Sequence, residues 1–312
     1  VIDVPRAWNA QTAAVVARES ELALDSSDQS MPAVRARYEA ERAWWNEGGP
    51  AMANTDEALV GGVRAVVQRP TTAPAGPAPA IVWIHGGGYI VGSPATHDRL
   101  TRTLAHLTGA VVVSVDYSLA PEARHPRQIE ECVAVVEGLR RTGDGLGIVG
   151  ADLTLAGDSA GATLALATWL WLRDELGADF GLRCLLLAYG AYGLQDSVSR
   201  RTLGGWWDGM TREAMREWAA LHLGDADPAG PYVDLLARDL RGAPPCHVLA
   251  VRLDPLLDDS LALAELLPGE GHELHVADGV LHTFLQHSRM LDDADAALAR
   301  MAAFHRRHTP AR

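Results

Sequence analysis

The stretch Leu153-Thr154-Leu155-Ala156-Gly157-Asp158-Ser159-Ala160-Gly161-Ala162-Thr163-Leu164-Ala165-Leu166 decides how this chain is read. A short apolar run of strand character meets a helical run through Gly157-Asp158-Ser159-Ala160-Gly161, with serine at the centre and glycine on both flanks. A strand can turn at once into a helix and hold one side chain in a strained, exposed position only where the flanking residues are small. The spacing therefore predicts a nucleophile elbow. Ser159 would present its hydroxyl at a strand end, and the backbone N–H of Ala160 would lie free at a helix start, where developing negative charge is favoured.

Working outward, short β-branched runs recur at 63–68, 81–84, 111–115, 153–156, 185–188, 248–251 and 274–276. Between them, 96–107, 126–140, 159–176, 259–267 and 284–305 carry apolar residues at three- and four-residue steps. Such alternation predicts crossover helices around a mostly parallel central sheet. The Pro- and Ala-rich segment 71–79 reads as a hairpin or surface loop. Two helical, aromatic stretches fall outside the alternation, residues 1–55 and 192–243, and they hold Trp44, Trp45, Trp206, Trp207 and Trp218. Inserts of this kind cover the carboxyl ends of the strands, where α/β folds bind ligands. The expected organisation is a catalytic core of residues 56–191 and 244–312, an N-terminal helical part of a cap over 1–55, and a cap insertion over 192–243. Tyr89, Trp206 and Trp207 are the candidate pocket residues.

Composition narrows the chemistry. The 312 residues, 48% hydrophobic and 21% charged, suffice for one large core with an accessory layer. No apolar segment approaches the roughly 18 residues of a membrane span, and the first residues lack the basic start and apolar centre of a secretory signal, so a cytoplasmic location is expected. A formal charge of −13 argues against binding a phosphate backbone. All 27 basic residues are arginine. With no lysine there is no Schiff-base amine, no Walker-type loop and no Ser-Lys dyad, and histidine is left as the obvious base. Cys132, Cys184 and Cys246 are widely spaced and read as buried free thiols, not as a disulfide framework or a zinc site.

A serine nucleophile needs a base, an orienting acid and donors for the oxyanion. His85-Gly86-Gly87-Gly88 follows the run 80–84, and consecutive glycines let backbone N–H groups approach a ligand with no Cβ in the way. Gly87 and Gly88, with Ala160, are the candidate donors. Asp254, in Asp254-Pro255-Leu256-Leu257-Asp258-Asp259, stands after the run 246–251, whereas Asp258 and Asp259 read as helix-start carboxylates. His282 comes last, after 274–276 and a short loop; His272, His275, His287, His305 and His308 read as packing or surface histidines. The order Ser159, Asp254, His282 is that of α/β-hydrolases.

Four signatures occur together in family order: His85-Gly86-Gly87-Gly88, Asp116-Tyr117-Ser118-Leu119-Ala120-Pro121-Glu122, Gly157 to Gly161, and Asp254-Pro255-Leu256 with His282-Thr283-Phe284. The chain thereby resembles the hormone-sensitive-lipase branch of the α/β-hydrolases. Through Glu41-Arg42-Ala43-Trp44-Trp45-Asn46, Thr96-His97-Asp98-Arg99, the segment 192–201 and Gly204-Gly205-Trp206-Trp207-Asp208-Gly209-Met210-Thr211 it resembles bacterial acetyl esterases, over about residues 38–300. The resemblance implies the α/β-hydrolase fold with a helical cap, hydrolysis of acetyl to butyryl esters, no cofactor or metal, and a homodimer. Ser118 departs from the arginine of many relatives, which removes any salt bridge from that position. Glu122 is expected to support the oxyanion loop. Two other readings stay open from the residues themselves: a binding or regulatory protein on the same scaffold, and a hydrolase of an amide, carbamate or lactone.

Overall fold

The computed structural model describes residues 3–177 and 180–309. Its strands are β1 (Met52–Val60), β2 (Val63–Pro70), β3 (Ala78–Ile84), β4 (Val111–Val115), β5 (Ile148–Asp158), β6 (Leu185–Ala188), β7 (Cys246–Val251) and β8 (Glu273–Ala277). They form one sheet in the order β1-β2-β4-β3-β5-β6-β7-β8, parallel from β4 onward, with β1 and β2 antiparallel at one edge. Each of the seven expected runs lies in a strand. β1 was not expected, because most of its residues are exposed and carry no apolar alternation. Its sequence signal is the Gly61-Gly62 turn, both residues at positive φ, joining it to β2 as a hairpin. A Cβ on Gly61 would stand 1.9 Å from the carbonyl oxygen of Ala134, so glycine is obligatory there. Residues 71–77 are a loop and no hairpin, since β2 pairs with β4, not with β3, and residues 78 and 79 already belong to β3.

The helices are α1 (Val4–Ala7), α2 (Ala10–Leu22), α3 (Met31–Ala43), α4 (Asp98–Thr108), α5 (Arg127–Thr142), α6 (Ala160–Asp174), α7 (Val198–Thr202), α8 (Arg212–Leu223), α9 (Leu257–Leu266) and α10 (Asp292–His308). Side chains alternate across the central strands and feed two cores. Ala80, Val82 and Ile84 of β3 join the apolar faces of α5 and α6, whereas Ile81 and Trp83 join those of α4 and α10. A strand buried on both faces reads as a near-continuous apolar run, as β3 does and as β4 does apart from the buried Ser114. The single helix expected over 284–305 is instead two pieces, a 3₁₀ turn at Phe284–His287 and then α10. The N–H groups of Met290 and Leu291 still bond in helical fashion to the His287 carbonyl, but Leu291 is extended at φ −124° and ψ 106°, and α10 restarts after it at three first-turn aspartates that favour a helix N-terminus.

Both stretches outside the alternation attach to the core by polar anchors. Asn9 Nδ2 donates to Asp293 at 2.8 Å, and Glu19 accepts from Arg42 at 2.8 Å and pairs with His287 at 3.1 Å. Burial would raise the Glu19 pKa, but His287 and Arg42 hold it down at about 2. At the other stretch, the buried Asp259 accepts from the N–H groups of Tyr192, Gly193 and Leu194 and pairs with Arg200 at 2.9 Å. Asp258 accepts from the N–H of Ser199 at 2.9 Å. These two carboxylates do lie in the first turn of α9, and they also clamp the start of the 192–243 insertion.

Candidate active site

Ser159 sits between β5 and α6 with φ 53° and ψ −124°, a conformation a side chain rarely adopts. Its N–H donates to the Ala188 carbonyl at 2.8 Å, which fixes the turn. The flanking glycines are sterically required. A Cβ on Gly157 would meet Gly161 at 2.5 Å, and one on Gly161 would meet the Ile84 carbonyl oxygen at 1.9 Å.

Three candidate residues, distant in sequence, converge here. His282 Nε2 lies 2.9 Å from Ser159 Oγ, and His282 Nδ1 lies 2.6 Å from Asp254 Oδ2. With Nδ1–H donated to the carboxylate, Nε2 is left as the acceptor facing the hydroxyl. Asp254 is fully buried, and its other oxygen accepts from the Leu256 N–H at 2.8 Å. Burial of His282 disfavours the imidazolium, but Asp254, helped by Asp208 and Asp158, outweighs this and raises its pKa.

The loop at residues 85–88 faces the same serine. Gly87 has φ 121°, and a Cβ there would fall 2.1 Å from the Val91 carbonyl oxygen; Gly88 has φ 60° and packs against the Trp218 ring. Tyr117 stacks on His85 at 4.3 Å and donates its hydroxyl to the His85 carbonyl at 2.8 Å. Burial pushes the His85 pKa down to about 3, so its ring is neutral packing. Arg35 of α3 donates to the carbonyls of Ile90 and Ala120 and is itself paired with Glu122 at 2.6 Å. Glu122 thus reaches this loop through Arg35. Ser118 donates from its N–H and hydroxyl to Glu131, which also takes Arg127, so a salt bridge forms nearby without an arginine at 118.

Ser159 stands at the junction of two cavities. The larger, about 510 Å³, is lined by His282, Gly87, Trp206, Trp207, Asp208 and residues of α2 and α3. The smaller, about 160 Å³, is lined mainly by apolar side chains of α6 and α8 with Tyr89 and Ala160. Trp206 is 71% exposed at the rim, Trp207 is half-buried, and Tyr89 stacks on His222 at 3.7 Å in the smaller cavity. Trp218 borders both cavities. Sequence reading had placed Trp218 in the cap without assigning it to a pocket; its helical spacing in α8 carries no such signal. Asp208 was missed as well. Burial raises its pKa to about 6, against the N–H groups of Gly205 and Met210 that bind one of its oxygens.

Cys132, Cys184 and Cys246 are free and buried. Among the described residues no group of three or more His, Cys, Asp or Glu side chains is arranged to hold a metal ion, and no helix is long and apolar enough to cross a membrane.

A strained serine between strand and helix, in an eight-stranded mostly parallel sheet, defines the class as α/β-hydrolase. Residues 81–286 match the Abhydrolase_3 family, described as alpha/beta hydrolase fold, and the chain belongs to it. Relatives called acetyl esterase, from Salmonella choleraesuis (strain SC-B67) and Salmonella typhi, are each 41% identical over 89% of this chain and 87% of their own. A solved esterase of Pyrobaculum calidifontis superposes with a TM-score of 0.87 at 30% identity, covering 97% of this chain and 100% of its own. A thermostable carboxylesterase cloned from a metagenomic library superposes with a TM-score of 0.85 at 27% identity, over 92% and 100% of the two chains. The chain is a carboxylic ester hydrolase of the hormone-sensitive-lipase branch and is similar to acetyl esterases.

Proposed function

We propose that the chain is a serine carboxylesterase that hydrolyses acetyl to butyryl esters through an acyl-enzyme on Ser159. The observation that carries this reading is the unbroken line of hydrogen bonds from Asp254 through His282 to Ser159, at the meeting point of two cavities. His282 Nε2 takes the hydroxyl proton as Ser159 Oγ attacks the ester carbonyl, and Asp254 stabilises the imidazolium that forms. The carbonyl π electrons move to oxygen, which the N–H groups of Gly87, Gly88 and Ala160 receive. Collapse restores the carbonyl and breaks the bond to the alcohol, which leaves with the proton from His282. Water then repeats the cycle on the acyl-enzyme, releasing the acid.

Since His282 protonates the leaving alcohol, the alcohol occupies the larger cavity that His282 lines, between the N-terminal helices and Trp206 and Trp207 of the cap. The acyl chain then occupies the smaller, apolar cavity beside Tyr89, whose volume supports a short chain, as does the similarity to acetyl esterases. Residues 1–55 and 192–243 form the cap in this reading, and a homodimer and a cytoplasmic location complete it.

The test compares p-nitrophenyl acetate, butyrate and decanoate with an anilide. The expected order is acetate or butyrate well above decanoate, with the anilide lowest; a preference for decanoate contradicts the acyl-site assignment. Ser159→Ala is expected to lower kcat by about 10⁴ to 10⁶, and near-normal turnover by that variant excludes Ser159 as nucleophile.

A further inference from the structure

A second buried Asp–His pair adjoins the serine turn. Asp158, the residue immediately before Ser159, is fully buried, and so is His97 at the start of α4. An ionised carboxylate is costly to bury unless its oxygens are satisfied. Asp158 Oδ1 accepts from the Gly86 N–H at 2.9 Å and faces His97 Nε2 at 3.1 Å; Oδ2 lies 3.3 Å from Gln286 Nε2. An ionised carboxylate only accepts, so the ring N–H of His97 is the donor. Burial alone would raise the Asp158 pKa, but His97, Gly86 and Gln286 together hold it below its ordinary value.

We propose that Asp158 and His97 are a positioning pair that sets the register of the oxyanion donors against Ser159. The two halves of the donor set come from different strands, Gly87 and Gly88 after β3 and Ala160 after β5. Asp158 joins them: its backbone leads directly into Ser159 and Ala160, while its side chain binds the N–H one residue before Gly87. The approach is close enough that a Cβ on Gly86 would stand 2.8 Å from the Asp158 carbonyl oxygen and 3.1 Å from Ser159 Cβ. His97 keeps the carboxylate from rotating away, and its own Nδ1 lies 2.8 Å from Thr96 Oγ1, which is bound in turn to Ser93. Gln286 extends the same carboxylate to the segment four residues beyond His282. Donors aimed at a developing oxyanion are effective only when held in place beforehand, and this carboxylate is what ties them to the elbow.

The inference rests on the proposed roles of Ser159, Gly87, Gly88 and Ala160. Its test uses Asp158→Ala, Asp158→Asn and His97→Phe, with kcat expressed per active site titrated by an organophosphate that labels serine. A trifluoromethyl ketone serves as probe: Ser159 Oγ bonds to its carbonyl carbon, the proton passes to His282, and the resulting oxyanion needs the same donors as the ester transition state. Asp158→Ala is expected to lower kcat on p-nitrophenyl acetate by about 10²-fold with KM within about threefold, and to weaken the ketone by a similar factor. Asp158→Asn, which keeps an acceptor for Gly86, should recover part of both losses. His97→Phe should move both in the same direction by a smaller factor, and it carries the test if the Asp158 variants do not fold. Unchanged kcat per titrated site, with only the melting temperature lowered, overturns the proposal in favour of a purely structural role. A fall in kcat without matching loss of ketone affinity overturns it too. Wild-type protein that neither hydrolyses the ester nor is labelled would instead overturn the proposed function.

Discussion

Asp254–His282 and Asp158–His97 are two buried Asp–His pairs near one serine, and they differ in what each group can reach. In the first pair the imidazole spends one nitrogen on its aspartate and presents the other to Ser159 Oγ at 2.9 Å. In the second the imidazole has no path to the serine, and it is the aspartate that reaches outward, to the Gly86 N–H at 2.9 Å. The first His stands on a loop beside the larger cavity; the second is sealed at the start of a helix with no exposure at all. In the proposed roles the same two residue types divide between proton transfer and positioning according to which partner faces Ser159. Chemistry is assigned by what lies at the open end of a hydrogen-bonded pair.

The contrast can be broken most sharply at the aspartates. Asp254→Asn leaves His282 without the acceptor that fixes its tautomer, and is expected to lower kcat by about 10⁴, against about 10² for Asp158→Ala. Equal losses, measured as kcat for p-nitrophenyl acetate per titrated site, would erase the distinction. Next in size, Gly87→Ala places a Cβ 2.1 Å from the Val91 carbonyl oxygen and must displace the loop. Its kcat is expected to fall about 10² to 10³-fold with little change in KM; a rise in KM alone would mean that the loop serves substrate binding and not the oxyanion.

The smallest effect is on pH. His282 must be neutral to accept a proton, and its pKa is raised above the ordinary 6.5, so the acid limb of kcat/KM should lie above that value. Asp254 is the main group raising it and Asp158 a lesser one. Neutralising Asp254 should therefore move the limb down further than Asp158→Asn does. The reverse order in the pH profiles would make Asp158 the dominant electrostatic partner of the base.

Legibility in the sequence followed how local the determining interaction was. β3 and β4 were readable because both faces are buried and the runs are apolar almost throughout, Ser114 excepted. β1 was not, because an edge strand with one pairing partner and a mostly exposed surface needs no such run; only Gly61-Gly62 marked it. The break before α10 carries no signal in the apolar pattern, since what interrupts the helix is the extended backbone at Leu291. At the candidate site, the elbow could be read from five adjacent residues. His97 could not be given a role, for a histidine in Thr96-His97-Asp98 looks like any residue entering a helix until β5 brings Asp158 beside it. Asp208 and Trp218 belong to the same group, since their places at the cavities depend on how residues 192–243 pack against the rest of the chain.

By itself the sequence determined the α/β alternation, the strained turn at Ser159, the glycines that leave no room for a Cβ, and histidine as the candidate base in a chain without lysine. Those features rest on sterics and hydrogen bonding within a few residues, or on which side chains are present at all. Position along the chain singled out His282 among the twelve histidines, but only the tertiary structure brought it to Ser159, set His97 against Asp158 and opened two cavities at the serine. Hydrogen bonds operate over about 3 Å, while the partners here stand 123 and 61 positions apart along the chain. Only the packing of the sheet and its helices closes those separations.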